Sequence, residues 1–171
     1  HPQASVPLLS WLHDYLRDRR LRVKLPGSIS REFPQTSGVP QGSLLGPYLF
    51  TAFINDLTSI LLVEALLFAD DVKIFTVISQ PDDFARLQTS LNSVLDWCNT
   101  NNMKLNSSKC SVMSFGRLRD PRYFQYTLDG RALDRVFTVR DLGVTFSADF
   151  SFNAHVDDLC RRAHRILGFI S

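Results

Sequence analysis

The chain has 171 residues, enough for a single domain with its own hydrophobic core. Its composition, 44% hydrophobic and 21% charged, excludes an intrinsically disordered protein, and a net charge of +2 does not by itself indicate nucleic-acid binding. Three cysteines without Cys-x-x-Cys spacing argue against a disulfide framework or a compact zinc site. No signal peptide or membrane-length apolar run is recognisable, so no membrane partner is expected. Because the sequence begins without Met, we expect an excised piece of a longer protein.

The first predicted elements are a helix and a basic hairpin. Apolar residues at helical spacing predict a helix over Ser5–Asp18. Strict alternation predicts a strand over Arg20–Leu25, which turns at Pro26-Gly27-Ser28 and returns over Ile29–Phe33. The cations on one face of the outgoing strand are Arg20, Arg22 and Lys24. This face suits nucleic-acid phosphates, and it equally suits a solvated outer surface.

A loop with two glycines, Ser37–Ser43, leads into a predicted helix over Leu44–Leu61. Ser43 is suited to cap this helix, and Pro47 falls in the first turn, where its missing N–H does little harm. The backbone N–H groups at such a helix start can bind an anion. An ordinary capped helix would show the same pattern, so both interpretations stand.

Two adjacent carboxylates, Asp70 and Asp71, lie between the apolar runs Val63–Phe68 and Val72–Ile78. These runs predict the two strands of a hairpin with the carboxylates at its tip. Like charges in a half-buried position favour a bound divalent cation, and Mg²⁺ prefers carboxylate oxygen. A turn that carries two solvated acids is the other interpretation.

The rest of the chain continues with helices and hairpins. An amphipathic pattern over Pro81–Asn101 predicts a helix whose N-terminal dipole suits Asp82 and Asp83. The later predicted elements are a loop over Lys104–Lys109, a strand over Cys110–Phe115, a connection over Gly116–Arg122, a hairpin of Phe124–Leu128 with Leu133–Phe137, a strand over Asp141–Phe146 and a helix from Ser151 or Asn153. This irregular order with adjacent hairpins predicts the α+β class, a sheet covered by helices.

Separate segments of the chain, in this order, resemble the motifs of reverse transcriptases. The segments are Ser37–Pro47 with Ile54–Leu57, Phe68–Asp71, Met103–Cys110 and Arg140–Val144. The chain is similar to the enzymes of non-LTR, LINE-type, jockey-like retrotransposons, including the helix and the basic hairpin before the glycine loop. An intron-encoded maturase is a related alternative.

The resemblance implies an RNA-directed DNA polymerase. It implies a partial palm over residues 1–146, with an antiparallel sheet and helices packed on one face, and the probable start of the thumb helix over residues 147–171. The further catalytic Asp of the family lies on an upstream strand, so we expect a palm truncated before its first catalytic strand. The fingers and the remaining thumb would belong to the parent polyprotein. These 171 residues alone are expected to be inactive. Intracellular, nuclear action is expected of the parent.

The implied chemistry is two-metal nucleotidyl transfer with Mg²⁺, or Mn²⁺ as a substitute, in target-primed retrotransposition. Asp70 would be the principal metal ligand and Asp71 a partial or indirect one. Phe68 would support the hairpin from the core. Lys109 would donate a proton to the leaving pyrophosphate or stabilise its charge.

The implied partners are an RNA template, a DNA primer and deoxynucleoside triphosphates. The loop residues near the template and nucleotide would be Gly38, Pro40, Gln41, Gly42 and Ser43. Leu142 and Gly143 would pack beneath the primer terminus. The nucleic-acid backbone would contact Arg20, Arg22 and Lys24.

A different class of hypothesis is a non-catalytic relic of such an element that binds nucleic acid or acts as an interaction module. The basic hairpin would then carry the function, and Asp70 and Asp71 would be dispensable.

Overall fold

The structure is a computed structural model that describes residues 5–116 and 124–170. Within these ranges the chain forms four α-helices and short strands that pair in six two-stranded sheets. It divides into two compact units, His1–Ser59 with Leu66–Val72 and Ile60–Ala65 with Lys73–Ser171. The predicted mixture of helices and antiparallel hairpins is confirmed. The predicted connection over Gly116–Arg122 lies, apart from Gly116, outside the described residues.

The first unit begins with helix α1, Val6–Leu16, as the sequence predicts. A hairpin follows. Its strands are β1, Arg20–Leu21; β2, Lys24–Leu25; β3, Ser28–Ile29; and β4, Phe33–Pro34. The inner strands β2 and β3 pair antiparallel around the turn, and the outer strands β1 and β4 do the same further from it.

A bulge divides this hairpin, so the single strand predicted over Arg20–Leu25 is wrong in its middle. Three residues separate β3 from β4, whereas two separate β1 from β2. The hydroxyl of Ser30 accepts the N–H of Val23 at 2.8 Å, and the carbonyl of Val23 accepts the N–H of Ser30 at 2.9 Å. The extra residue and the Ser30 side chain interrupt the regular backbone pairing.

Helix α2, Gly46–Ile54, continues directly into a 3₁₀-helix over Asn55–Ile60. The predicted helix over Leu44–Leu61 is therefore confirmed in position, but it winds more tightly after Ile54. The buried side chains here are Ile54 and Leu57. They bury apolar surface of the first unit, which stabilises the helix that follows the glycine loop.

The acidic hairpin is confirmed. Strands β5, Glu64–Phe68, and β6, Asp71–Phe75, pair in a two-stranded sheet. Only Ala69 and Asp70 connect them, and such a short connection joins neighbouring antiparallel strands. Phe68 is 60% exposed, so the expectation that it supports the hairpin from the core is wrong.

The second unit is built on helix α3, Pro81–Thr100, which agrees with the predicted helix. The elements that follow are a 3₁₀-helix over Ser107–Lys109 and the strands β7, Ser111–Val112; β8, Thr127–Leu128; β9, Arg131–Ala132; and β10, Asp134–Arg135. One cluster of buried core residues consists of Tyr126, Leu128 and Leu133. Partly buried side chains pack against them, and four of these come from α3: Phe84, Leu87, Leu91 and Leu95. The amphipathic face of α3 is therefore a core face, as predicted.

The last elements of the second unit are a hairpin and a helix. Strands β11, Thr138–Asp141, and β12, Val144–Ser147, pair antiparallel, and helix α4, Asn153–Ile170, contacts β12. The strand predicted over Asp141–Phe146 is wrong, because Leu142 and Gly143 form the turn between β11 and β12. Both have positive φ angles, 45° and 88°, which matches the two-residue hairpin turn that follows the natural twist of the strands.

The predicted single antiparallel sheet is also wrong within the described residues. Every sheet there has two strands, and β7 pairs with β10 in parallel. The strands are two to five residues long. Among the helices described, none has the length and apolar character needed to cross a membrane.

The start of α3 makes the stability of the fold sensitive to acid. The Asp83 carboxylate accepts the backbone N–H groups of Gln80 at 2.9 Å and Ser79 at 2.8 Å. These bonds, that of Gln80 first, lower the pKa of Asp83 from its ordinary value of 3.8; the Arg86 guanidinium lowers it further, and burial opposes the shift. A pKa lowered by folding means that the ionised carboxylate stabilises the native state above pH 3.8, and this stabilisation is lost as the pH falls through the native pKa.

We therefore expect the free energy of unfolding to fall as the pH is lowered below 3.8. Asp83→Asn should be less stable than the wild type at pH 7 and should show a flatter acid dependence, measured by denaturant unfolding across the pH range. Asp82→Asn, at an exposed position of the same turn, is the control and should keep the acid dependence. An unchanged acid dependence in Asp83→Asn would contradict this assignment.

Candidate active site

The two adjacent carboxylates lie at the end of the β5–β6 hairpin. Ala69 and Asp70 form the connection, and Asp71 is the first residue of β6. Ala69 has a φ of 51°, in the left-handed region that a tight turn uses. Asp70 and Asp71 are both exposed. Water therefore solvates the two like charges, and their oxygens are accessible to a cation or to an incoming ligand.

The donor atoms of this pair fit a hard divalent cation in part. Mg²⁺ is usually held by one or two carboxylates together with waters and substrate phosphates. Asp70 and Asp71 supply carboxylates of that kind. Within residues 5–116 and 124–170, no group of three or more His, Cys, Asp or Glu side chains is arranged to hold a metal ion. Further ligands would have to come from a substrate or from outside the described residues.

The glycine loop before α2 is held closed by Ser43. The Ser43 hydroxyl donates to the carbonyl of Pro40 at 2.8 Å and accepts the N–H of Gly46 at 3.0 Å. Its oxygen thus satisfies the N–H of the first residue of α2. The N-cap predicted at Ser43 is nevertheless wrong, because the N-cap is Leu45, which has no side-chain cap hydrogen bond. Gly38 and Gly42 have φ angles of 75° and 78°, which residues other than glycine rarely adopt.

Gly46 is required for a different reason, which the sequence analysis missed. A Cβ atom at this position would lie 2.8 Å from the carbonyl oxygen of Pro40, closer than van der Waals contact allows. A Cβ atom at Gly42 would have no contact closer than 4 Å, so no residue among those that the structure describes fills the space beside that glycine. The two glycines are therefore required for different reasons. Gly46 has no room for a side chain, and Gly42 has a positive φ angle.

Arg19 connects the loop to the end of α1. Its Nε donates to the carbonyl of Leu16 at 3.0 Å, and its Nη2 donates to the carbonyl of Gly38. The backbone N–H of Gln35 in turn donates to the carbonyl of Arg19 at 2.8 Å. A surface cavity of about 450 Å³ adjoins this junction. It is lined by Arg19, Arg20, Leu21, Gln35, Pro40 and Gln41. The sequence showed Arg19 only as one more cation of the basic segment.

Glu32 partly neutralises the basic hairpin, which the sequence analysis also missed. One oxygen of Glu32 accepts from Nε and Nη2 of Arg22 at 3.0 and 2.6 Å, and the other lies 3.5 Å from Nη1 of Arg20. The position of Glu32 in the hairpin is the sequence signal for this ion pair. When Arg20 pairs with Pro34 in an antiparallel hairpin, Glu32 lies opposite Arg22. Lys24, by contrast, forms no ion pair with any described residue.

The second unit holds the other predicted site residues. Lys109 is exposed and ends the 3₁₀-helix over Ser107–Lys109. Leu142, 53% exposed, and Gly143 form the β11–β12 turn. Beside this turn, Asp141 accepts a hydrogen bond from Nζ of Lys73 in β6, an ion pair that the sequence did not indicate. The structure thus places Asp70, Asp71 and the glycine loop in the first unit, and Lys109 and the turn of Leu142 and Gly143 in the second.

Comparison with known proteins identifies the family. Residues 2–168 match the family model described as reverse transcriptase (RNA-dependent DNA polymerase). The chain belongs to the reverse transcriptase family. This confirms the resemblance inferred from the glycine loop and the Phe-Ala-Asp-Asp hairpin.

Three similar curated proteins come from mobile elements of Drosophila melanogaster. The chain is 31% identical to a probable RNA-directed DNA polymerase from transposon BS. The similar region is 170 residues long and covers 94% of this chain and 19% of the relative. It is 28% identical over 154 residues to the RNA-directed DNA polymerase from mobile element jockey, covering 85% of this chain and 17% of the relative. A probable polymerase from transposon X-element is 29% identical over 166 residues, 92% of this chain and 18% of the relative. The chain therefore spans less than a fifth of these relatives. No solved structure matches it.

The space at Gly46 gives a test of the loop geometry. Gly46→Ala should lower the free energy of unfolding by about 1–3 kcal/mol, because the new methyl group must push the Pro40 carbonyl out of the loop. Gly168→Ala is the matched control. It lies in α4 with open space around its Cβ position, so there alanine should raise the free energy of unfolding by about 0.5–1 kcal/mol. Both values are measured by denaturant unfolding, and equal effects of the two substitutions would contradict the close approach.

Proposed function

We propose that this chain is the catalytic core segment of an RNA-directed DNA polymerase of a non-LTR retrotransposon. The observation that carries the proposal is the exposed Asp70–Asp71 pair at the end of a hairpin, in a chain that matches the reverse transcriptase model over residues 2–168. The relatives that carry polymerase names support the same activity. Its substrates would be a primed RNA template and deoxynucleoside triphosphates.

The two carboxylates would hold the divalent metal that reverse transcriptases generally use. Bound Mg²⁺, or Mn²⁺ in its place, would supply charge neutralisation for the triphosphate and acidify the primer hydroxyl. Asp70 would be the principal ligand because it lies in the turn itself. Asp71 begins β6, where alternation sends the side chains of neighbouring residues apart, so its contribution would be smaller.

The remaining site residues would handle the substrates. Gln41 and Gly42 would border the template–nucleotide pair. The open space beside Gly42 would let the template–nucleotide pair approach the protein backbone at this position. The exposed Lys109 would neutralise the leaving pyrophosphate. The turn of Leu142 and Gly143 would pack beneath the primer terminus, with the exposed Leu142 side chain as an apolar platform. Under the same proposal, residues 1–146 belong to the palm and residues 147–171 to the thumb.

Primer extension tests the polymerase directly. Three proteins should be compared on a primed RNA template with Mg²⁺ or Mn²⁺: the 171-residue chain, a polypeptide that carries it at the length of its relatives, and that longer polypeptide with Asp70→Asn. The 171 residues alone should not extend the primer, because two carboxylates are a small ligand set for two metal ions. Asp70→Asn should lower the extension rate at least about a hundredfold.

Asp96→Asn in the longer polypeptide is the matched control, since Asp96 is exposed on α3. It should retain the wild-type rate. Extension by the 171-residue chain would refute the expected inactivity. A longer polypeptide that binds RNA but extends nothing would favour the alternative of a non-catalytic binding module.

The basic hairpin gives a second test, on RNA binding by the 171-residue chain. Glu32→Gln should raise the affinity by about two- to fivefold at low salt and steepen its salt dependence, because Arg20 and Arg22 lose a competing carboxylate. Arg22→Gln should lower the affinity. Asp96→Asn makes the same charge change as Glu32→Gln at an exposed position on α3 and should leave the affinity near that of the wild type. An effect of Asp96→Asn as large as that of Glu32→Gln would show that only net charge matters.

A further inference from the structure

The Lys73–Asp141 ion pair links two segments that are 68 residues apart. Nζ of Lys73 donates to Oδ2 of Asp141, and the two side chains are 37% and 23% exposed. Both residues belong to the second unit. The partial burial of the pair reduces its screening by water and salt relative to the exposed pairs of the hairpin surface.

Each partner lies next to a part of the proposed site. Lys73 comes two residues after Asp71 in β6, and residues at that spacing share one face of a strand. Asp141 is the last residue of β11 and directly precedes the turn of Leu142 and Gly143. The ion pair therefore joins the strand that begins with a metal-binding carboxylate to the turn proposed to support the primer terminus.

The pair also controls a charge beside the carboxylates. An ammonium group on the same face as Asp71 and two residues away is close enough to compete with a cation for that carboxylate. Because Asp141 accepts the hydrogen bond from Lys73, this ammonium group is directed to β11. The contact thus links β6 to the end of β11.

We infer that Lys73 and Asp141 are positioning residues: their ion pair holds the turn of Leu142 and Gly143, and with it the primer 3′ terminus, in place relative to β6. This inference rests on the proposed polymerase function and extends it to how the primer is used. It separates the two substrates: the ion pair acts on the primer–template, whereas Gln41 and Gly42 of the glycine loop act on the incoming nucleotide.

The test is steady-state primer extension by the longer polypeptide with four variants, Lys73→Met, Asp141→Asn, the double variant and Lys73→Arg. Each single loss should raise the KM for primer–template by roughly threefold to tenfold, with less than about a twofold change in the KM for the nucleotide. The double variant should be no worse than either single variant, because both remove the same contact. Lys73→Arg keeps the charge and should retain most of the wild-type activity.

Control variants remove another ion pair of the second unit. Arg131 and Asp134 are 3.7 Å apart and more exposed, and Arg131→Met with Asp134→Asn should leave both KM values unchanged. The thermal unfolding of every variant is also measured, because a variant that changes a KM value only by destabilising the fold should show a lower unfolding temperature.

Several outcomes would overturn the inference. They are additive losses in the double variant, an equal rise of both KM values, and losses that follow thermal stability alone. An active wild type whose Lys73 and Asp141 variants behave normally would overturn this inference and leave the polymerase intact. A longer wild type that extends no primer would overturn the proposed function, and this inference with it.

Discussion

The two-residue connection between β5 and β6 is the constraint on which the candidate site depends. It places two like charges that are adjacent in the sequence at the end of a hairpin, with Ala69 in a left-handed conformation. Such an arrangement is tolerable only where water or a cation offsets the repulsion. The exposure of both carboxylates meets this requirement, and it also leaves their oxygens accessible to a cation or an incoming ligand.

The electrostatics of the chain depend on where carboxylates neutralise cations. A net charge of +2 says little, because Glu32 takes up part of the charge of Arg20 and Arg22, and Asp141 takes up that of Lys73. In the exposed hairpin such pairs are weak and can exchange for phosphates. In the half-buried Lys73–Asp141 contact, exchange is less favourable, so that pair is suited to positioning and the hairpin to binding.

Local signals predicted the elements that local chemistry determines. The Pro81 start of α3 with Asp83 in its first turn, the Asp129-Gly130 turn and the acidic hairpin were all found where expected. The sequence failed where tertiary partners decide. The Ser30 hydroxyl interrupts the first strand, and Leu142, a residue without turn propensity, adopts a positive φ in a hairpin turn. Likewise, no spacing rule joins Lys73 to a carboxylate 68 residues away.

The glycines of the loop before α2 are explained by local geometry, which the family similarity alone does not give. Similarity to the reverse transcriptases identifies the loop, but it does not explain why glycine occupies each position. At Gly38 and Gly42 the backbone angle requires glycine, and at Gly46 the Pro40 carbonyl leaves no room for a side chain. Since Ser43 closes the same turn through Pro40 and Gly46, the start of α2 and the shape of the loop are set together. A change at either end would therefore alter the surface of the whole loop, including parts that the altered residue does not touch.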